Sequence, residues 1–423
     1  MSSLIRILSL FAALALLAGC ATVPAASSGT VPSSICEPTL APEPVEPESS
    51  LPSTAPTTVP TMAPTFPTTI PTEAPTEPSL LGTLTLREKV GQLFLVDPDP
   101  LVTGAPVTEL TEELQWVLSE YPVGGVILFY DNITDPDQLT AFNASLSAAT
   151  RIPMFLAVDE EGGPVARVAS HPGFAVPHYS SAAAVGAQGD PGAAREMGSS
   201  IGAYLRELGF NMDFAPVADI NTNPQNPIIG VRAFSSDPET AAVLAHACAE
   251  GLSSQGIVPV FKHFPGHGDT AEDSHSEIAV SGKTLEELRS CEWLPYTDAF
   301  GCVMVGHIAV PAVLGDQTPA TFSHEMVTEY LKSELGFDGL VITDSLSMGA
   351  VTNHFSPGEA ALAALDAGCD LLLMPEDLPA AFEAVLEAVE SGAFPAEELD
   401  RRVETILRFK QAHGIWSDSL PAL

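Results

Sequence analysis

Between residues 262 and 275 the chain gathers Lys262, His263, His267, Asp269, Asp273 and His275. These types supply an ammonium, three imidazoles and two carboxylates, enough for proton transfer, for gripping hydroxyl groups, or for holding a metal. The metal reading rests on His263 and His267, whose i,i+4 spacing suits a zinc pair on a helix. Pro265 and Gly266 lie between them and break a helix there, and no H-E-x-x-H pattern occurs. Proton transfer is better served by Asp273-Ser-His275. In an extended segment, residues i and i+2 project to one side, so Asp273 can orient the His275 ring and favour its protonated form. In a helix the same spacing turns the side chains apart, so this dyad demands a non-helical loop.

A proton donor of this kind suits glycosyl transfer to water, which also needs a carboxylate nucleophile across the scissile bond. Asp344, closing the apolar run 340–344, is the candidate. A non-catalytic protein that merely holds a sugar in the same polar ring is the competing reading, although it needs no Asp-x-His dyad.

Such residues must be carried by rigid elements. Eight short, mostly apolar runs read as strands: 91–97, 125–129, 154–159, 211–220, 257–264, 303–310, 340–344 and 370–374. Apolar runs bounded by Gly, Pro or Asp are expected of strands buried on both faces. Helix signals lie between several of them. Asp237-Pro238 is an N-cap with proline at the first position, with Gly251 expected to close that helix. Thr284-Leu-Glu-Glu287 is a capping box; Ser323 can cap a helix ending at Gly336, and another ends near Gly368. Alternating strands and helices over residues 80–423 predict an α/β fold of the (β/α)8 TIM-barrel type, with a doubly wound open sheet as the alternative. In such barrels chemistry collects at the C-terminal strand ends. Here those ends carry Asp159, Asp219 with Asn221 and Asn223, Lys262 with His263, His307, and Asp344. A ring of carboxylates, imidazoles and a few cations suits a polyhydroxylated ligand.

The 423-residue chain has a formal net charge of −38. Phosphate backbones and anionic surfaces would be repelled, which excludes nucleic acid as a partner. The six cysteines show no C-x-x-C spacing, and Cys248, Cys291, Cys302 and Cys369 read as buried free thiols. Residues 1–20 read as an export signal: Arg6 precedes an apolar core, too short to span a bilayer, and Leu17-Ala-Gly-Cys20 resembles the bacterial lipobox in which the cysteine is lipidated. Residues 21–79 hold no Lys or Arg, are dominated by Pro, Thr, Ser, Ala and Glu, and read as a disordered, semi-rigid linker. Together they predict a domain held outside the cytoplasmic membrane by lipid.

Lys262-His-Phe-Pro-Gly-His-Gly-Asp-Thr270, followed by Asp273-Ser-His275, resembles the signature of glycoside hydrolase family 3, in its β-N-acetylglucosaminidase branch. The resemblance runs through residues 84–415 and includes Asp159-Glu-Glu-Gly-Gly163, Asn211-Met-Asp-Phe-Ala-Pro-Val-Ala-Asp219 and Gly339-Leu-Val-Ile-Thr-Asp344. It implies Asp344 as the nucleophile of a covalent glycosyl-enzyme and His275 as acid/base assisted by Asp273. It also implies Asp159, Arg167, Arg232, Lys262 and His263 as contacts to the terminal sugar. No metal or organic cofactor is implied; the substrate would be terminal β-linked GlcNAc on cell-wall muropeptides or related glycans. Relatives with this dyad include phosphorylases, so phosphate is an alternative acceptor. Pro164 stands where the family usually has Arg after the paired glycines. No second α/β domain is expected after residue 415, which points to the short branch.

Overall fold

The computed structural model describes residues 80–271 and 277–416. The export signal, Cys20, the linker and the Asp273/His275 dyad lie outside the described residues.

Eight parallel strands form one sheet: β1 Phe94–Val96, β2 Gly125–Leu128, β3 Phe155–Val158, β4 Met212–Asp213, β5 Val258–Phe264, β6 Cys302–Val305, β7 Leu340–Thr343 and β8 Leu372–Leu373. Neighbours in sequence are neighbours in the sheet from β1 to β7, and β8 pairs with β1 in the register Phe94↔Leu372. A bridge between Ile342 and Leu371, with Thr343 N–H donating to Leu371 O at 3.0 Å, brings β7 against β8. The result is a near-closed parallel barrel, as the eight predicted runs require.

A helix follows each strand: α1 Glu112–Glu120, α2 Pro136–Ala149, α3 Pro191–Glu207, α4 Pro238–Ser254, α5 Leu285–Ser290, the π-wound α6 Glu325–Glu334, α7 Pro357–Ala367 and α8 Leu378–Ser391. Their starts follow from capping chemistry. Thr284 and Glu287 form a reciprocal capping box, Asp237 accepts from the Thr240 N–H, and Pro238 occupies the first turn, where a missing N–H costs nothing. Ser323 Oγ accepts from Met326 N–H at 3.2 Å. Gly368 closes α7 in the left-handed conformation at φ 115°.

Three expectations need correction. Gly251 does not close α4, which continues to Ser254; it lies where α4 crosses α3, and a Cβ there would stand 2.2 Å from Arg195 O. Gly91 belongs to the helix Leu86–Gly91, so β1 begins later than predicted. The apolar run 211–220 keeps only two residues in regular β structure, because Pro216 has no N–H for the ladder. The chain past β4 still pairs irregularly with β5, Ala218 N–H reaching Lys262 O at 2.6 Å.

Phe94, Phe155, Phe261 and Val341 are buried within one continuous apolar core. A last helix, α9 Ala396–Ala412, seals the N-terminal end of the barrel. Its Lys410 is fully buried, donates to Gln92 Oε1 at 2.8 Å and Gly124 O at 2.9 Å, and lies 4.7 Å from the Phe155 ring centroid. Burial pushes its pKa down to about 7.

Candidate active site

The opposite, C-terminal end of the barrel opens into a cavity of about 430 Å³ lined by residues from the ends of β2 to β8 and their following loops. Asp159, Arg167, Arg232, Lys262, His263 and Asp344, all singled out in the sequence, line this one space.

At its centre is an ion-pair network. Lys262 Nζ lies 2.7 Å from Asp159 Oδ1 and 2.7 Å from Glu161 Oε1. Arg232 meets Glu161 as a fork, Nε to Oε2 and Nη2 to Oε1, both at 2.8 Å, while its Nη1 donates to Ile228 O at 3.2 Å. Bidentate pairing of this kind fixes the guanidinium plane. Arg167 Nη2 stands 3.7 Å from Asp159 Oδ2, and its guanidinium lies 5.5 Å from the Phe129 ring centroid. Burial acts to raise the Glu161 pKa, but Lys262 and Arg232 outweigh it and hold the carboxyl well below its usual range. The same carboxylates hold the Lys262 ammonium charged despite its burial.

Glu161 is the hub of this network and received no role from the sequence. The signal was present: in an extended strand end, residue 161 projects to the same side as Asp159. Glu160 points the other way and is fully buried. It accepts from the Val168 and Ala169 N–H groups and the Tyr204 O–H, all at 2.8 Å, so it organises the loop that carries Arg167.

A second arrangement fixes the two histidines. Asp219, fully buried, accepts from His263 Nδ1 at 2.7 Å, from the His263 N–H at 3.2 Å and from the His267 N–H at 2.7 Å. Burial would raise its pKa; the imidazoles and the His267 N–H more than offset this and lower it. His267 Nδ1 meets Thr270 Oγ1 at 2.6 Å, so the spaced histidine pair is held by local hydrogen bonds. Asn226 Nδ2 donates to His267 O at 2.8 Å and Thr270 O at 3.0 Å, pinning the start of the loop that leads to residues 272–276. Gly268 is pressed against Ile220, where a Cβ would stand 1.8 Å from the carbonyl oxygen. Asp269 turns to Ser281 Oγ at 2.7 Å and does not line the cavity.

Asp344 stands at the end of β7. Its backbone N–H donates to Val305 O at 2.9 Å and its Oδ1 accepts from the Ser345 N–H at 2.7 Å. Burial raises its pKa, but His263, His307, the Ser345 N–H and Lys262 outweigh burial and leave it below the usual carboxylate value. It is therefore ionised at neutral pH, as a nucleophile must be. His307, at the end of β6, is buried beneath it. Its Nε2 lies 2.9 Å from Ser345 O and its Nδ1 3.0 Å from Thr321 Oγ1. Burial lowers its pKa, so a neutral ring with the proton on Nε2 donates to Ser345 O.

The cavity thus places a polar grip on the β3–β5 side and an ionised carboxylate at β7, an arrangement able to hold a sugar ring and attack it at one carbon. Comparison with known proteins points the same way. The sequence model of the glycosyl hydrolase family 3 N-terminal domain matches residues 85–409. Beta-hexosaminidase A of Pseudoalteromonas piscicida is 34% identical over 292 residues, covering 64% of this chain and 49% of that relative. The chain therefore spans about half the length of that protein. Beta-hexosaminidase LpqI of Mycobacterium tuberculosis is 35% identical over 349 residues, 79% of this chain and 84% of the relative. The solved structure of a family 3 β-N-acetylglucosaminidase from a Paenibacillus species superposes with a TM-score of 0.74 at 37% identity, covering 80% of this chain and 64% of that one.

Proposed function

This chain belongs to glycosyl hydrolase family 3, in the branch of the β-hexosaminidases, and from that membership we propose that it is a retaining exo-β-N-acetylglucosaminidase. The observation that carries the proposal is the ionised Asp344 facing the Asp159–Lys262–Glu161–Arg232 network across one cavity.

In this reading the hydroxyls of a terminal GlcNAc displace part of the existing pairing and bond to Asp159, Lys262, Arg167 and His263, while Arg232 faces the N-acetyl group. Asp344 attacks the anomeric carbon; its carboxylate–C1 bond forms as the C1–O bond to the leaving group breaks. His275, oriented by Asp273, protonates the departing oxygen. The same imidazole then takes a proton from water, which attacks C1 and frees Asp344, so two inversions give net retention. The roles of His275 and Asp273 rest on the sequence signature alone. A lipid on Cys20 and the linker 21–79 would hold the domain outside the cytoplasmic membrane, where muropeptides are met.

Product analysis with an aryl β-GlcNAc, with and without inorganic phosphate, tests the reaction. Free GlcNAc released first as the β-anomer, at a rate indifferent to phosphate, is the expected result. GlcNAc 1-phosphate formed in proportion to phosphate would instead make the protein a phosphorylase, and sugar binding without turnover would make it a binding protein. A 5-fluoro β-GlcNAc glycoside, which keeps the N-acetyl group, should leave its covalent mass on the peptide containing Asp344; labelling of another carboxylate would remove Asp344 from this role. For the anchor, Cys20→Ala should release the protein from the membrane fraction.

A further inference from the structure

His263 faces the cavity from a tight turn, and that turn has a seat on its far side. Gly266 N–H donates to His263 O at 2.7 Å, closing the turn 263–266. Asp219 holds it from one side, through the His263 ring and the His263 and His267 N–H groups. On the other side lie residues 291–296, between α5 and β6. Phe264 stacks on Trp293 at 5.7 Å between centroids and meets Tyr296 edge-on at 5.2 Å, and both partners are buried. Gly266 lies against Glu292: a Cβ there would stand 2.7 Å from Glu292 Cβ and closer still to its Cγ. Gly266 also holds φ at 126°, a conformation that suits glycine and few other residues. The glutamate stem therefore packs directly on the backbone between the two histidines.

Packing alone does not call for a glutamate here. Glu292 is 1% exposed, and its Oε2 has no hydrogen-bond partner among the described residues. A buried carboxylate oxygen left unpaired costs stability, a cost that an apolar side chain of equal length avoids. What the carboxylate does have is Lys283, whose ammonium pairs with Oε1. The two residues flank α5, Lys283 just before its capping box and Glu292 just after its last turn. Lys283 is in turn tied to the segment that follows β5. Its N–H donates to Ser281 Oγ at 3.4 Å, and that hydroxyl donates to Asp269 Oδ2 at 2.7 Å. The ion pair thus fixes the Glu292 side chain in one place, a hold that an unbranched apolar side chain lacks.

We propose that Glu292, pinned by Lys283, is a positioning residue for the reaction: it fixes the turn 263–266 so that His263 presents its ring to the sugar hydroxyls. Asp219 occupies Nδ1, so Nε2 is the ring nitrogen left for the ligand. Held by Asp219 alone, the turn can rock about that carboxylate; with Glu292 behind Gly266 it is gripped from both sides. Neither Glu292 nor Lys283 lines the cavity. This role rests on the glycosidase reading above and adds to it two residues that act from behind the site.

Glu292→Met in the whole chain tests it, since methionine keeps the length of the stem and loses the pin. With an aryl β-GlcNAc, kcat/KM should fall about tenfold, as expected of a small misplacement of a sugar contact. Glu292→Gln, which keeps an acceptor for Lys283, should recover most of the loss. Added to His263→Ala, Glu292→Met should cost less than about twofold more, because the group it positions is already gone. Urea unfolding of each variant ensures that folded proteins are compared; should Glu292→Met not fold, Lys283→Met removes the same pin and enters the same cycle. Full activity in Glu292→Met, or an equal loss with and without His263, overturns the positioning role and leaves the glycosidase reading standing. If the unaltered chain does not turn the glycoside over, the glycosidase reading falls and calorimetric titration with GlcNAc decides. Binding weakened by Glu292→Met only where His263 is present then supports the positioning role, and any other pattern overturns it.

Discussion

Lys262 carries two carboxylates on one buried ammonium, so its loss has two consequences. Lys262→Met should lower kcat/KM at least a hundredfold, because the sugar loses a fixed donor, and should also lower the unfolding free energy by roughly 3–5 kcal/mol, as expected when a buried pair loses one member. Steady-state kinetics and urea unfolding measure the two effects separately. His307 acts at one remove, through Ser345, on the carboxylate of Asp344. His307→Leu should lower kcat about tenfold with little change in KM, and His307→Gln, which keeps an N–H donor, should recover part of it; a loss borne by KM alone would remove the positioning role. Two buried carboxylates give opposite pH signatures. Glu161 is held low, so its contribution to stability is full above its unfolded pKa and is lost as pH falls below about 4.5 toward the folded value. The deficit of Glu161→Gln should therefore shrink in acid. Asp213 is raised well above the ordinary value by burial, and its Oδ2 has no hydrogen-bond partner among the described residues. Its contribution is present below its unfolded pKa and is lost as pH rises toward the folded one. Asp213→Asn, which cannot ionise, should thus gain on the parent from pH 4 to pH 8 in urea unfolding; a gap constant over that range would contradict the assignment.

Among the elements, the α3–α4 crossing rests on missing side chains. A Cβ on Gly198 would meet Cys248 O at 2.0 Å, and one on Gly251 would meet Arg195 O at 2.2 Å, so each helix lies against the other's backbone. Gly251→Ala should lower the melting temperature by several degrees, corresponding to about 1–3 kcal/mol of overpacking, while kcat of the folded fraction stays the same. The sequence shows Gly251 as a helix stop because glycine serves both ends and contacts, and only the partner helix distinguishes them. The strands were legible where burial on both faces left continuous apolar runs. They were not legible where a ladder depends on a missing donor, as at Pro216, nor could local pattern reveal the π winding of α6. Site residues at strand ends could be found by type and position. Glu161 and Asp219 were harder, because their importance lies in whom they meet: Lys262 and Arg232 for one, His263 and His267 for the other.

At the scale of the whole molecule, the net charge of −38 is an extended field, acting on any charged substrate before contact. Carboxylate-bearing muropeptides should be repelled at low ionic strength, so their kcat/KM should rise as salt goes from about 10 to 150 mM, where screening shortens to about 8 Å. Neutral GlcNAc oligomers should show no such rise, and equal salt responses would show that the field does not reach the site. Barrel closure was the least legible feature of all, since it joins residues 94–96 to 372–373, the two ends of the folded region. Closure of that kind sets an order in time. A growing chain can lay down β1 to β7 side by side as each leaves the ribosome, but β1 stays an open edge until residue 373 exists, and the base stays unsealed until Lys410 reaches Gln92 and Gly124. Every shorter chain is an unfinished sheet with an adhesive border, so the stretch from Leu372 to Lys410 decides when the molecule stops being a hazard to its neighbours.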